Sequence, residues 1–192
     1  MDTWGILGAA NNSMQFIGHW TSVTNDAALI EQLLTSFFEH IHSFFHFFDM
    51  YLFVEDMNSH RTNFCTPLLV NAVLACAAAP LTGRNDNGHI LGRTSLASHF
   101  YLEARKHWHA QEGQDSVTRV QAAIILTYLL NQAGRDKVGM MFQQEALRIA
   151  HTLGLFNVEP PAYALIPPNG ASVDNWIQHR SVTSWMLFNW QA

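Results

Sequence analysis

The chain has 192 residues, of which 48% are hydrophobic and 13% are charged, and its formal net charge at pH 7 is −5. Nucleic-acid binding depends on clustered cations that release counterions from phosphates, and the densest basic stretch here is the short segment from Arg105 to His109. The charge therefore excludes direct DNA contact by this chain. Soluble domains usually contain about 25% charged residues, so we expect a partner protein, self-association or further chain to cover part of the apolar surface.

Two cysteines, Cys65 and Cys76, are too few for a disulfide framework and are predicted to be small buried residues. Such thiols are typical of a reducing compartment. No segment contains the run of about 18 apolar residues that a membrane span requires, and residues 1–16 lack the features of a secretion signal. We therefore expect an intracellular chain that does not contact a membrane.

Residues 1–24 are rich in Gly, Asn, Ser and Thr and show no regular apolar period, so they are predicted to be a flexible leader. The remaining residues, 25–192, are predicted to form one domain. Its first helix starts at Asn25 or Asp26, because either side chain can cap a helix. Apolar residues then recur at helical spacing, and phenylalanines continue toward residue 53. The recurring residues are Ile30, Leu33, Leu34, Phe37, Phe38 and Ile41.

The second helix has no polar face. Thr66 and Pro67 form a start signal, a capping hydroxyl followed by proline at the first helical position. The following residues are apolar on nearly all sides until Pro80. A helix of this kind is typical of the middle of a bundle, and residues 80–93 are predicted to form a loop.

Three further helices follow, separated by short turns. The first starts at Thr94 or Ser95 and ends by Gly113, and the second starts at Asp115 or Ser116. The second ends before Gly134, and the third begins near Asp136 and ends at Gly154. Because only two or three residues join the last two helices, they are predicted to form an antiparallel hairpin.

The C-terminal part contains a proline-rich loop at residues 157–173 and a last helix from Asp174. This helix reaches Ala192 without a stop signal, so we expect the domain to be truncated there. No strand pattern is present. The predicted fold class is all-α, an irregular multi-helix bundle built from αα-hairpins.

Four segments together resemble the fungal-specific transcription factor domain, the middle homology region of fungal binuclear zinc-cluster transcription factors. The likeness covers about residues 29–192, and the order and spacing of the segments carry it. The segments are LLTSFFEHIHSFFHFFD (33–49), PLLVNAVLACAA (67–78), DSVTRVQAAIILTYLLNQAGRDKVGMMFQQEALRIAHTLGL (115–155) and RSVTSWMLFNWQA (180–192).

This resemblance implies a nuclear regulator of transcription in which residues 25–192 are a partial regulatory domain, and it implies no catalysis. The zinc cluster of such proteins needs six cysteines, whereas this chain has two. We therefore expect no cofactor in this chain, and a zinc cluster only in a full-length relative. The small number of cysteines and the expected truncation both fit a fragment, a broken gene model or a degenerate copy of such a protein.

Four residues are candidates for an effector pocket. Arg180 lies on the last helix with Trp176 and Trp185, so its guanidinium can anchor an acidic effector between indole rings or form a structural ion pair. His42 lies on the aromatic first helix. Glu39, His42 and His46 also share one helix face, but no second helix offers a matching ligand pair, so we predict no metal site.

Two other classes of function stay open at this stage. One is a stand-alone helical biosynthetic enzyme, which would need a pocket with a perturbed acid or base, and Glu39, His42 and Arg180 are the candidate residues. The other is a dominant-negative interaction module whose exposed apolar face pairs with a full-length relative. For every one of these functions, the last helix is predicted to expose Trp185, Phe188 and Trp190 unless something covers them.

Overall fold

A computed structural model describes residues 13–81, 89–157, 159–160, 162–168 and 170–191. No strand occurs in these ranges, which confirms the all-α class. The helices are α1 (Ser13–Trp20), α2 (Ala27–Phe37), α3 (Ser43–Phe45), α4 (Met50–Asn58), α5 (Pro67–Ala78), α6 (Leu96–Ala110), α7 (Val117–Gln132), α8 (Asp136–Thr152) and α9 (Val173–Gln191). In the described part of the chain, no helix combines the length and apolar character of a membrane span.

Side-chain caps fix where several of these helices begin, among them α2, α4, α5, α6 and α7. In each case a carboxylate or hydroxyl oxygen accepts the backbone N–H three residues later, which satisfies one of the free donors of the first turn. Four of these caps confirm predicted start signals, and the cap of α4 was not predicted. The capping residues are Asp26, Asp49, Thr66, Ser95 and Ser116.

Helix α5 is the centre of the bundle, as its all-apolar sequence predicts. Every residue from Leu68 to Ala78 is buried, and α5 packs against α2, α6 and α7. Its one amide side chain, Asn71, is completely buried and donates to the backbone carbonyls of Trp20 and Pro67, each at 2.8 Å. These bonds offset the cost of burying the amide and attach the end of α1 to the central helix.

Helices α7 and α8 form the predicted hairpin. Gly134, with φ of 66°, provides the left-handed residue that ends α7. The helices approach closely at Gly139, whose carbonyl oxygen accepts a hydrogen bond of 3.1 Å from the Thr127 hydroxyl. A Cβ atom on Gly139 would lie 3.3 Å from the Thr127 carbonyl oxygen, so the small residue permits this approach.

Part of the predicted leader is structured. Residues 1–12 lie outside the described residues, but residues 13–20 form α1, with Ile17 and Trp20 buried in the core. Thr21 is also buried, and its hydroxyl donates to the Asn71 side chain at 2.8 Å. The prediction of a loose segment for residues 1–24 therefore does not describe residues 13–21, because two apolar residues and one buried amide hold this stretch in place.

The phenylalanine-rich segment after α2 departs from a simple α-helix. The chain continues through a π-helical turn at Phe38–His42 and α3, and it leaves the helix at His46, which has a left-handed φ of 46°. Phe47 and Phe48 then enter the core, whereas Phe44 remains 79% exposed. This change of direction positions one side of the candidate site.

Candidate functional site

Helix α9 has a buried side and an exposed aromatic side. His179, Thr183 and Leu187 are at most 1% exposed and face the core. Trp185 and Phe188, in contrast, are 67% and 63% exposed, and their rings meet edge to face. Both were predicted to be exposed in the absence of a covering partner.

Arg180 is buried and holds the end of another helix. Its Nη2 donates to the carbonyl of Leu153, the C-cap residue of α8, at 2.7 Å. The Ser184 hydroxyl, one turn further along α9, donates to the carbonyl of Leu155 at 2.8 Å. A cation at a helix C-terminus is favourable because the last carbonyls carry partial negative charge. A carbonyl group at the end of α8 is therefore one partner of this buried guanidinium.

Trp176 packs against this arginine. The Arg180 guanidinium carbon lies 5.7 Å from the Trp176 ring centroid, and the indole N–H donates to the carbonyl of Ala164 at 2.9 Å. The short 3-10 turn at Ala162–Leu165 is thereby attached to α9. Trp176 thus connects the proline-rich loop to the last helix.

An open groove of about 890 Å³ runs between residues 43–51 and α9. We call it the aromatic groove. One side comes from the segment that includes α3 and the start of α4, and the other comes from the exposed side of α9. Its lining residues are Phe38, His42, Ser43, Phe44, Phe45, His46, Phe48, Asp49, Met50, Tyr51, Gln178, Ser181, Val182, Trp185, Met186, Asn189 and Trp190.

His42 is the buried polar residue of the aromatic groove. It is 6% exposed, and its ring lies 4.9 Å from Phe48 and 5.5 Å from Phe38, centroid to centroid. Burial lowers the pKa of His42 to about 4; His46 adds to this shift, and Asp49 opposes it. The imidazole is therefore neutral at pH 7, and its Nδ1 makes no hydrogen bond. A neutral ring with an unused nitrogen suits an apolar ligand that carries one polar group.

The four predicted site residues do not line one common space in the structure. Trp185 lines the aromatic groove together with His42, and it also lines a smaller hollow of about 340 Å³ together with Arg180. Trp176 is in the lining of neither. Among the four, Trp185 is therefore the residue that lines both spaces, as Ser181 also does, and a single pocket built from all four side chains is not formed.

Several groove residues were missed by sequence reasoning. Phe44, Phe45 and Tyr51 line the groove and are 39% to 79% exposed, and the crowding of aromatic residues at 44–53 was the available signal. Trp190 was predicted to be exposed. It is instead partly buried, with ring centroids of Phe45 and Tyr128 at 5.9 and 6.3 Å.

The histidine and carboxylate residues do not converge on a metal position in the described ranges. No group of three His, Cys, Asp or Glu side chains there could hold an ion. Glu39 is exposed, and the rings of His42 and His46 lie 5.8 Å apart. The site consists of an aromatic surface with a neutral imidazole, and these groups are suited to binding a ligand.

The sequence of this helical bundle matches a known family. The family described as the fungal specific transcription factor domain matches residues 34–178, more than half of the chain. The chain therefore belongs to the fungal specific transcription factor domain family. It is a family of transcription factors and not of enzymes.

Curated relatives are fungal regulators. The chain is 32% identical over 120 residues to the notoamide biosynthesis transcriptional activator notL' of Aspergillus versicolor, covering 62% of this chain and 18% of that protein. It is 27% identical over 177 residues to the nitrogen assimilation transcription factor nirA of Emericella nidulans, covering 90% and 19%. It is 26% identical over 146 residues to nit-4 of Neurospora crassa, also named a nitrogen assimilation transcription factor, covering 71% and 13%.

The chain thus spans less than one fifth of the length of each of these relatives. No solved structure matches it significantly.

Proposed function

We propose that this chain is the effector-responsive regulatory region of a fungal pathway-specific transcription factor, and that the aromatic groove receives a small apolar or aromatic effector. The observation that supports this function is the groove itself, an aromatic-lined space of about 890 Å³ with one neutral imidazole at its inner side. Ligand sites typically combine apolar walls with a few placed polar groups. Trp185 and His42 are the residues of the predicted set that contact this ligand.

The groove lies between two parts of the chain, and this position suits regulation by a ligand that contacts both parts. Residues 43–51 form one side and α9 the other, and Gln178 on α9 donates to the Asp49 carboxylate at 3.4 Å across the gap. A ligand that contacts both sides binds more tightly when they are close together. It therefore favours that arrangement over a more open one, in proportion to the difference in affinity.

DNA contact is assigned to other parts of the regulator. The chain has ten Lys and Arg residues against fifteen Asp and Glu residues, and counterion release needs a surplus of clustered cations. We expect the complete protein to act in the nucleus and to carry a zinc cluster outside this chain.

The direct test is a titration of the purified chain with Nile red, a neutral planar dye that fluoresces in apolar surroundings. We expect saturable binding that Trp185→Ala weakens by about tenfold, because the substitution removes a large aromatic contact from the groove. Since Trp185 is 67% exposed, the variant should fold normally.

The matched control is Leu102→Ala. Leu102 is 53% exposed and lies on α6, away from the groove lining, so its loss should leave dye affinity unchanged. Equal affinities in wild type and Trp185→Ala would contradict an effector site in the groove.

Self-association is the second candidate function, supported by the exposed aromatic side of α9. Trp185, Phe188 and Phe44 are each more than 60% exposed, and exposed apolar patches promote association. Sedimentation at increasing concentration separates the two functions. A dimer that Phe188→Ala abolishes favours association, whereas a monomer at all concentrations leaves the effector site as the explanation of this surface.

A further inference from the structure

A second cavity, of about 620 Å³, lies between α6, the turn that follows it, α7 and α8. We call it the arginine cavity. It shares no residue with the aromatic groove. Its lining residues are Tyr101, Arg105, Trp108, His109, Glu112, Arg119, Arg135, Val138, Met141, Phe142 and Glu145.

Arg119 is the buried charge of this cavity. The residue is 3% exposed, and its guanidinium carbon lies 4.1 Å above the ring centroid of Trp108. One guanidinium nitrogen, Nη1, donates to the carbonyl of Gln111, but the buried Nε makes no hydrogen bond. A buried guanidinium needs compensating acceptors, so this side chain keeps unused capacity to bind an anion.

The other charges of the lining leave a positive surplus. Arg105 and Arg135 are exposed at its rim. Glu145 accepts hydrogen bonds of 2.8 and 2.9 Å from Arg148, which is outside the lining and also donates to Asp115. The lining thus holds three guanidinium groups against two carboxylates, those of Glu112 and Glu145. The cavity therefore favours a ligand with negative charge.

The rest of the lining is apolar and largely aromatic. The rings of Trp108 and Phe142 meet edge to face with centroids 5.0 Å apart, and Val138 and Met141 contribute exposed aliphatic surface from α8. A fully hydrated inorganic ion would leave this surface unused. A planar organic body would cover it and gain from the loss of apolar contact with water.

We propose that the arginine cavity binds a small aromatic carboxylic acid, with its carboxylate toward the arginines and its ring against Trp108 and Phe142. This site is separate from the groove of the proposed function and takes a different class of ligand. Either site can therefore fail its test without affecting the other.

The test is isothermal titration of the 192-residue chain with 2-naphthoate and with 2-naphthylmethanol, which has the same ring system and no charge. We expect the acid to bind at least about tenfold more tightly than the alcohol, as charge-assisted contacts with arginine predict. We also expect Glu112→Gln to tighten acid binding, because it removes a negative charge from the lining.

A pair of neighbouring residues on α6 provides the matched variants. Arg105→Gln removes a charge from the cavity, and we expect it to weaken acid binding about threefold, the size of an exposed ion pair. Lys106→Gln removes the same charge one residue away, outside the lining, and should leave the affinity unchanged.

Four results would overturn this inference. One is the absence of naphthoate binding, the second is equal affinity for acid and alcohol, and the third is an equal effect of Arg105→Gln and Lys106→Gln. Loss of naphthoate binding in Trp185→Ala would also overturn it, because the acid would then occupy the aromatic groove.

Discussion

Two buried imidazoles differ in protonation between the folded and unfolded chain. Burial lowers the pKa of His42 to about 4 and that of His179 to about 3, from an ordinary value of 6.5. His42 faces His46 and Asp49, and the charge of Arg180 adds to the shift at His179. Between pH 6.5 and about 4 the unfolded chain therefore binds more protons than the folded chain.

The pH dependence of stability follows from this difference. The folded state has its full stability above pH 6.5 and loses it as the pH falls, by up to about 1.4 kcal/mol per pH unit for each histidine. We predict that His42→Phe, which places an apolar ring among Phe37, Phe38 and Phe48, reduces this slope by about 1 kcal/mol per pH unit near pH 5. Urea unfolding at several pH values measures it.

The control for this prediction is His99→Gln, which removes a solvent-exposed imidazole from α6. We expect its profile to follow that of the wild type. A slope in His42→Phe equal to the wild-type slope would mean that His42 is protonated in the folded chain, contrary to its buried position.

Arg180 is predicted to be a structural residue. Arg180→Met keeps most of the apolar stem but removes the hydrogen bond to the Leu153 carbonyl, so we expect a loss of about 2 kcal/mol in the free energy of unfolding, as for hydrogen bonds to charged groups. Chemical denaturation measures this loss. Arg93→Met, at an exposed position, serves as control. Equal small losses of unfolding free energy in both variants would show that the hydrogen bond from Arg180 to the Leu153 carbonyl does not stabilise the protein.

Sequence reasoning identified the burial of Arg180 but not its partner. A carboxylate and backbone carbonyls were both open as partners of a buried cation, and the structure shows a bond to the carbonyl that α8 leaves free at its end. Backbone acceptors are present at every residue and leave no signal in the sequence. The same holds for His42, whose burial depends on the π-helical turn that bends the chain toward Phe48.

At the scale of elements, the hairpin of α7 and α8 depends on close contact at Gly139. A Cβ atom there would lie 2.7 Å from Asn131 Oδ1 and 3.3 Å from the Thr127 carbonyl oxygen. The asparagine side chain can move away, but the carbonyl belongs to the backbone of α7. Small additions are therefore tolerated better than branched ones.

We predict that Gly139→Val lowers the free energy of unfolding by about 2 kcal/mol, which is typical of overpacking between helices. Gly139→Ala should cost less than about 1 kcal/mol, since its strain is partly offset by better helix propensity. Thermal and urea unfolding of both variants test this order. A valine variant as stable as the alanine variant would show that the helices can separate at no cost.

Start signals were the most predictable feature of the elements. Thr66 was predicted as a cap, and Asp26, Ser95 and Ser116 were each one of two adjacent candidates. All four cap helices, because a cap depends on residues within one turn. Helix α1 was not predicted, because the contacts that stabilise it are distant in the sequence. Its eight residues are held by contacts with Asn71, about fifty positions away in the sequence, and local composition carries no trace of them.

At the scale of the whole molecule, the net charge of −5 argues against DNA binding. We predict that the chain binds duplex DNA at physiological salt with a Kd weaker than about 0.1 mM, at or beyond the weak end of non-specific binding. Fluorescence anisotropy with labelled duplexes measures it. Tight, sequence-specific binding by this chain alone would contradict the assignment of a regulatory role without DNA contact.

The central claim is that the aromatic groove controls the activity of a transcription factor, and a reporter assay in a fungal host tests it most directly. The chain is placed between an unrelated DNA-binding module and an unrelated activation segment. We predict that Trp185→Ala changes reporter output several-fold, whereas Leu102→Ala, another exposed apolar residue outside the groove, does not. Equal output from wild type and both variants at equal protein levels would contradict the claim.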